Sequence, residues 1–495
     1  MMGLSRQAVD QLQTGGARRR TLLHLSALGA FLLAALPLAA QQPASPQQTP
    51  PDSQQPGAGA QVHTGTTSGF DLDLRLQNLL ADHQFIRLEQ EIGQLPPDQQ
   101  QFYRGLLANH SNDAAKSIEL LEPLIDQVVA SGSVAHEKLL RKALAEDYLR
   151  EGDLGKAAAA YKTMETRLGD KLTPDEQDEI EMPVKMLPLA KDAPRMTVEP
   201  CDPFVMQVEK DPLGLIDVPV FVDANPHAWM LDPTAPFNLI ARSLAKEAGL
   251  KVSEESVTIH TLTGKPLQVH VAVVPRFTIA GRLTLRNMTV FVFEDADYYF
   301  PRTRYQVEGV LGYPGVSALG SLTITGDDTI SIRPVKQITP NPFDDRVRNG
   351  ARFFIDGDQL VVALGKPRDL GDKSPPEAPK PGDERMFVID AGGQQTYLTS
   401  RYYDEHTNDF AGQKMQLFTL PGAQSFAPQP AYVAESLPLV VGANTAHIHF
   451  VQVLTQPLGS AALDDVYGVL GIDALDQLIA YTFDYRSMQF AVKPD

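Results

Sequence analysis

Apolar residues recur at helical spacing from about Asp71 to Leu187, with short polar breaks, and the rhythm then changes. Within that stretch, Leu144-Ala145-Glu146-Asp147-Tyr148, Gly152-Asp153-Leu154, Ala157 and Tyr161 predict a helical hairpin. Small Ala145 and Ala157 let two helices approach closely, Gly152-Asp153 reverses the chain, and Tyr148 and Tyr161 fill the groove. A weaker copy runs from Gly105 to Leu121, forty residues earlier. Beyond Met196, short runs of Val, Ile, Phe and Thr alternate with turn signals such as Asp223-Ala224-Asn225-Pro226, Thr263-Gly264-Lys265 and Ile355-Asp356-Gly357-Asp358. That pattern predicts an all-β region.

The first seventy residues follow neither pattern. Arg18, Arg19 and Arg20 precede an apolar run from Thr21 to Leu36, which ends in the small residues Ala39 and Ala40. A basic start, a short apolar run and a small-residue exit predict an export signal over 1–40. The run is short for a membrane span, which needs about 20 apolar residues. Residues 41–69, rich in Gln, Pro, Ser, Gly and Thr, cannot offset the entropy of ordering and predict a disordered linker. The expected location is therefore outside the cytoplasm, periplasmic or secreted, with no stable membrane span once the signal is removed.

The β region repeats itself. Trp229-Met230-Leu231-Asp232 followed by Phe237-Asn238-Leu239-Ile240 aligns with Phe387-Val388-Ile389-Asp390 followed by Gln395-Thr396-Tyr397-Leu398. Ile279-Ala280-Gly281 leading to Thr289-Val290-Phe291-Val292 aligns with Val440-Val441-Gly442 leading to His449-Phe450-Val451-Gln452. Gly309-Val310-Leu311-Gly312 aligns with Gly468-Val469-Leu470-Gly471, and each copy ends in a β-rich stretch, Leu322-Thr323-Ile324 and Tyr481-Thr482-Phe483. Three landmarks recur in one order at nearly one offset.

These residues resemble the aspartic protease family, closest to bacterial retropepsin-like proteins fused in tandem as in pepsin. The helical stretch resembles tetratricopeptide repeats, although its offset of forty exceeds the usual thirty-four or so. The implied architecture is multidomain: a tetratricopeptide-like helical domain over 70–190, then an all-β, two-lobed aspartic-protease fold with lobes over 196–335 and 350–495. The resemblance implies Asp232 and Asp390 as the catalytic pair. It implies supporting loops Pro233, Thr234, Ala235 and Ala391, Gly392, Gly393, and threading strands carrying Leu311, Gly312, Leu470 and Gly471. A flap hairpin is expected from Ile259 to Val269, turning at Thr263, Gly264 and Lys265. Two carboxylates that close cannot both ionise, so one holds a proton for the scissile carbonyl while the other activates water. The sequence departs from the family at the first loop, where Pro233 and Thr234 stand for Thr and Gly, and at the second, where Ala391 stands for Thr.

The implied function is an exported aspartic endopeptidase acting as a monomer on peptide or protein substrates. The alternative is a catalytically inactive peptide-binding or scaffold module, with the helical repeats as a docking surface for a protein partner. Composition narrows the remaining choices. The chain is too long for one core, and its hydrophobic content of 43% and charged content of 21% are those of globular protein. Removal of 1–40 takes four of 43 basic and one of 61 acidic side chains, leaving 39 against 60, which argues against nucleic acid as a partner. Cys201 is the single cysteine, so no intrachain disulfide forms. His447 and His449 share a strand face but lack a third ligand, so neither a metal nor another cofactor is expected.

Overall fold

The computed structural model describes residues 69–494 apart from 261–265, 302, 340–345, 358, 366–383, 392–394, 420–427 and 459–463. A helical region comes first: α1 (Gly69–Ala81), α2 (Phe85–Ile92), α3 (Pro97–His110), α4 (Ala114–Leu121), α5 (Ile125–Ser131), α6 (Val134–Arg150), α7 (Leu154–Leu168) and α8 (Pro174–Ala190). Three of its turns share one geometry. His83, Asn112 and Gly152 each take positive φ, at 54°, 58° and 71°. The following residue then donates its N–H five residues back, to the carbonyls of Leu79, Ala108 and Tyr148 at 2.7, 2.9 and 2.8 Å. Asp113 and Asp153 cap the next helices, accepting from the backbone N–H of Lys116 and Lys156. The forty-residue offset is thus the spacing of two equivalent turns. The α1–α2 hairpin escapes a sequence reading because His83-Gln84 replaces the Gly-Asp signal.

A large β-rich region follows. Its principal strands are β1 (Asn225–Leu231), β2 (Leu239–Ala241), β3 (Pro266–Ile279), β4 (Leu283–Phe293), β5 (Gly309–Leu311) and β6 (Ser321–Thr325). The second copy supplies β7 (Ala351–Asp356), β8 (Arg385–Asp390), β9 (Tyr397–Leu398), β10 (Gln429–Val441), β11 (Asn444–Leu454), β12 (Gly468–Gly471) and β13 (Ala480–Asp484).

The sequence duplication becomes a duplication of ladder register. In the parallel pair β1–β5, Leu231 lies opposite Leu311; in β8–β12, Ile389 lies opposite Leu470. Val310 pairs with Leu239 on one side, and Val469 with Tyr397 on the other. Leu239 pairs with Phe291, and Tyr397 with Gln452. Each match obeys the offsets read from the sequence. Because side chains alternate along a strand, a one-residue slip would turn every buried residue outward, so identical registers bury the equivalent residues in both copies.

The two copies meet across β6 and β13, which pair antiparallel. Thr323 lies opposite Thr482, its own equivalent 159 residues on, with hydroxyls 2.8 Å apart. On either side Leu322 pairs with Phe483 and Ile324 with Tyr481. The Thr323–Thr482 pair therefore marks a local pseudo-two-fold axis.

The helical region packs on the second copy through the end of β7. Asp356 is enclosed by His83 Nδ1 at 2.7 Å, His110 Nδ1 at 3.8 Å and Lys142 Nζ at 4.0 Å. Phe85 packs on Phe354 with ring centroids 4.8 Å apart and planes tilted by 39°, and His110 Nδ1 lies 2.9 Å from the Ile355 carbonyl oxygen. Lys142 also pairs with Glu179 of α8 at 2.6 Å. The helices thus have a partner within their own chain. Burial works against the Asp356 charge, but His83, His110 and Lys142 outweigh it and hold the carboxyl well below the usual carboxylate range. The same pairing outweighs burial at His83 and raises its pKa, whereas burial lowers that of His110.

A lowered carboxyl pKa stabilises above the unfolded value near 4, and a raised histidine pKa stabilises below about 6.5. Asp356→Asn is therefore expected to cost about 3 kcal/mol in urea unfolding between about pH 5 and 6.5. The cost should shrink below about pH 4 and diminish above about pH 7. A cost that is flat from pH 3 to pH 8 would contradict this ion cluster.

Candidate functional site

Asp232 follows β1 directly, and its backbone N–H donates to the Leu311 carbonyl at 3.1 Å, extending the β1–β5 ladder. The next residues fold into a tight turn around its side chain. Asp232 Oδ1 accepts from Thr234 N–H at 3.0 Å, Thr234 Oγ1–H at 2.6 Å and Ala235 N–H at 3.2 Å. Pro233 has no N–H to offer. With the Gly of the family pattern replaced, the Thr234 hydroxyl is spent on its own aspartate. Asp232 is 5% exposed, and burial raises its pKa despite the donors from Thr234 and Ala235. A carboxyl so placed keeps its proton to higher pH than an exposed one.

Asp390 ends β8, paired with Gly471 in the parallel β8–β12 ladder. It lies beside Tyr397, whose phenol is raised by burial and then by the Asp390 charge. Gly392 and Gly393 lie outside the described residues, as do Thr263, Gly264 and Lys265 of the expected flap. The strands leading to that turn, Val257–His260 and β3, are present and pair antiparallel.

The threading strands do in both copies what close approach demands. A Cβ on Gly312 would sit 2.2 Å from the Phe237 carbonyl oxygen, and one on Gly471 would sit 2.8 Å from Gln395 backbone. Phe237 and Gln395 are equivalent positions. Gly312 N–H donates to Asn238 Oδ1 at 3.1 Å, and Gly471 N–H donates to Thr396 Oγ1 at 2.9 Å. Asn238 and Thr396 are both almost fully buried. Asn238 and Thr396 stand at matching positions of the duplication, the one signal in the sequence that pairs them.

One cavity touches both copies without being lined by either aspartate. Pro233 and Ala391, the residues after each aspartate, line it together with Leu231, Ile472, Phe483 and Tyr485. The Tyr485 hydroxyl is buried without a hydrogen-bond partner, and Tyr485 is raised by burial and then by the charges of Tyr313 and Asp232. No sequence motif announces Tyr485, because the first copy has Gly326 at the matching place. His447 and His449 are both exposed, and among the described residues no three metal-ligating side chains gather. Cys201 is buried, with burial raising its thiol.

Residues 218–314 match the model of an aspartyl protease family. The matched segment contains Asp232, its turn and the whole of β5. No curated protein matches the chain in sequence. Among solved structures, conglutin gamma, a basic 7S globulin from lupine seeds, is 11% identical, covering 59% of this chain and 94% of its own with a TM-score of 0.37. Basic 7S globulin from soybean is 14% identical over 59% of this chain and 96% of its own, with a TM-score of 0.36. A retropepsin-like aspartic protease from Rickettsia conorii is 16% identical over 26% of this chain and 98% of its own, with a TM-score of 0.20.

A raised carboxyl pKa destabilises the folded state as pH rises above about 4 and through the folded value. Asp232→Asn keeps an acceptor for Thr234 and Ala235 and removes the buried charge. Its stability relative to the parent should therefore increase from pH 4 to pH 8 in denaturant unfolding. A variant equally or less stable at pH 8 than at pH 4, relative to the parent, would contradict the placement of Asp232.

Proposed function

We propose that this chain is an exported aspartic-type endopeptidase in which Asp232 and Asp390 form one acid–base pair across two lobes. The observation that carries the reading is the matched register of β1–β5 and β8–β12, which puts the two aspartates at equivalent strand ends. Pro233 and Ala391 lining one cavity supports their convergence. Asp232, with its raised pKa, is suited to hold the shared proton. In the reaction, ionised Asp390 takes a proton from water as its oxygen attacks the peptide carbonyl carbon. Asp232 donates its proton to the carbonyl oxygen. Collapse of this gem-diol breaks the C–N bond as Asp232 takes back one hydroxyl proton and the leaving nitrogen takes the proton from Asp390. The pair titrates as a unit. Both aspartates lie in one chain, so the active species is a monomer, directed outside the cytoplasm by residues 1–40. The helical region, read as tetratricopeptide-like, serves mainly to hold the lobes.

One observation favours the alternative of an inactive peptide-binding module. Three donors already converge on Asp232 Oδ1, all from its own turn. An aspartate so engaged binds a catalytic water less freely. Casein digestion by the purified chain from pH 3 to pH 8 separates the two readings. Peptidase activity predicts cleavage that Asp390→Asn lowers by at least about a thousandfold, as loss of an essential acid–base group does. Folded parent protein that cleaves nothing across that range, or an Asp390→Asn variant that cleaves normally, would overturn the proposal.

A further inference from the structure

Next to the Asp232 turn lies a second cavity. Ala235, Pro236 and Phe237 form one wall, and Leu267 and Val269 of β3 form another. Its walls present carbon, so an occupant must be an apolar group. Across it stand Met182 and Met186 of α8, which also packs on Val257–His260 and β3. The last helix of the N-terminal region therefore fills space three residues along the chain from Asp232 and against the strands of the flap hairpin.

Helix α8 is firmly capped at its start, where Thr173 and Glu176 form a capping box and Lys138 pairs with Glu176 at 2.7 Å, but its second half is weaker. Pro183 and Pro188 lie inside it, so the carbonyls of Glu179 and Val184 lose their ordinary intrahelical donors. Pro183 is buried next to Met182, while Pro188 is exposed. The segment after the helix, Lys191 to Arg195, is largely exposed and without regular structure. The polar anchors of α8, Thr173 with Glu176, Lys138–Glu176 and Lys142–Glu179, all lie before Met182, so packing alone holds the half that carries the methionines, and methionine adapts readily to an irregular apolar gap. A helix end held by packing alone opens locally at lower cost than a capped one.

We propose that α8 is a displaceable cover over an apolar subsite beside Asp232, with Met182 and Met186 standing where an apolar side chain of a peptide docks. The inference rests on reading the Asp232 region as a peptide site and adds its regulation: peptide binds only when α8 yields. Two variants of the full chain push the cover in opposite directions. Met182→Glu with Met186→Glu puts charge against a carbon-lined wall and drives α8 off. Pro188→Ala, at an exposed position, restores a donor to the Val184 carbonyl and tightens the helix.

Two readouts are taken on each protein: the initial rate of casein cleavage and the emission of anilinonaphthalene sulfonate, which brightens in exposed apolar pockets. The double glutamate variant should raise cleavage about fivefold or more, as expected when the competent fraction rises, and should raise dye emission. Pro188→Ala should lower both below the parent. The proposal is overturned if dye emission is unchanged or follows the reverse order across the three proteins. It is equally overturned if the parent cleaves and the double variant, shown folded by circular dichroism, cleaves more slowly. If nothing cleaves while the dye keeps the predicted order, the cover stands and the peptidase reading fails. The Pro188→Ala arm keeps the test valid even if the glutamate variant does not fold.

Discussion

The antiparallel ladder between β6 and β13 limits where the two aspartates can go, because it joins each copy to the other at equivalent residues. With Thr323 opposite Thr482, whatever rests on one side of the pair is repeated on the other. The β1–β5 and β8–β12 ladders carry that symmetry to Asp232 and Asp390. Each step is fixed by backbone hydrogen bonding and by burial of one strand face, which together leave little freedom of register. The glycines of β5 and β12 complete the constraint, since no side chain fits where Gly312 and Gly471 face the preceding turns.

Symmetry in the scaffold does not extend to the loops. At Asp232 the turn is closed by Thr234 and Ala235 on a proline that offers no donor, and burial raises the carboxyl. Asp390 ends its strand paired with Gly471, and its charge acts on the buried Tyr397 phenol. An acid–base pair needs one member to keep its proton while the other ionises, and the raised Asp232 is suited to keep it. The loss of the first loop's glycine is thus compatible with the chemistry, although the Thr234 hydroxyl is no longer free to bond elsewhere.

The duplication was legible in the sequence because ladder register demands equivalent residues at equal spacing, and Val310, Leu311, Val469 and Leu470 keep to it. The α6–α7 hairpin was legible through Gly152-Asp153, and the α3–α4 hairpin more weakly through the copy from Gly105 to Leu121. What escaped was set by contacts between distant segments. Nothing around Asp356 tells that three basic side chains, from the α1–α2 turn, α3 and α6, converge on it. Met182 and Met186 look like ordinary core positions of an amphipathic helix. Tyr485 follows a strand whose counterpart has glycine. Such residues belong to the interfaces between regions, and periodicity within a region carries no record of what it packs against.

If Asp232 and Asp390 share one site, each must feel the charge of the other. Unfolding free energies of the parent, Asp232→Asn, Asp390→Asn and the double variant form a cycle that isolates the interaction. Two nearby carboxylates repel when ionised, so about 1 kcal/mol or more of non-additivity is expected at pH 7, fading towards pH 3 as both become protonated. Additivity within about 0.3 kcal/mol at pH 7 would mean that the two aspartates do not meet.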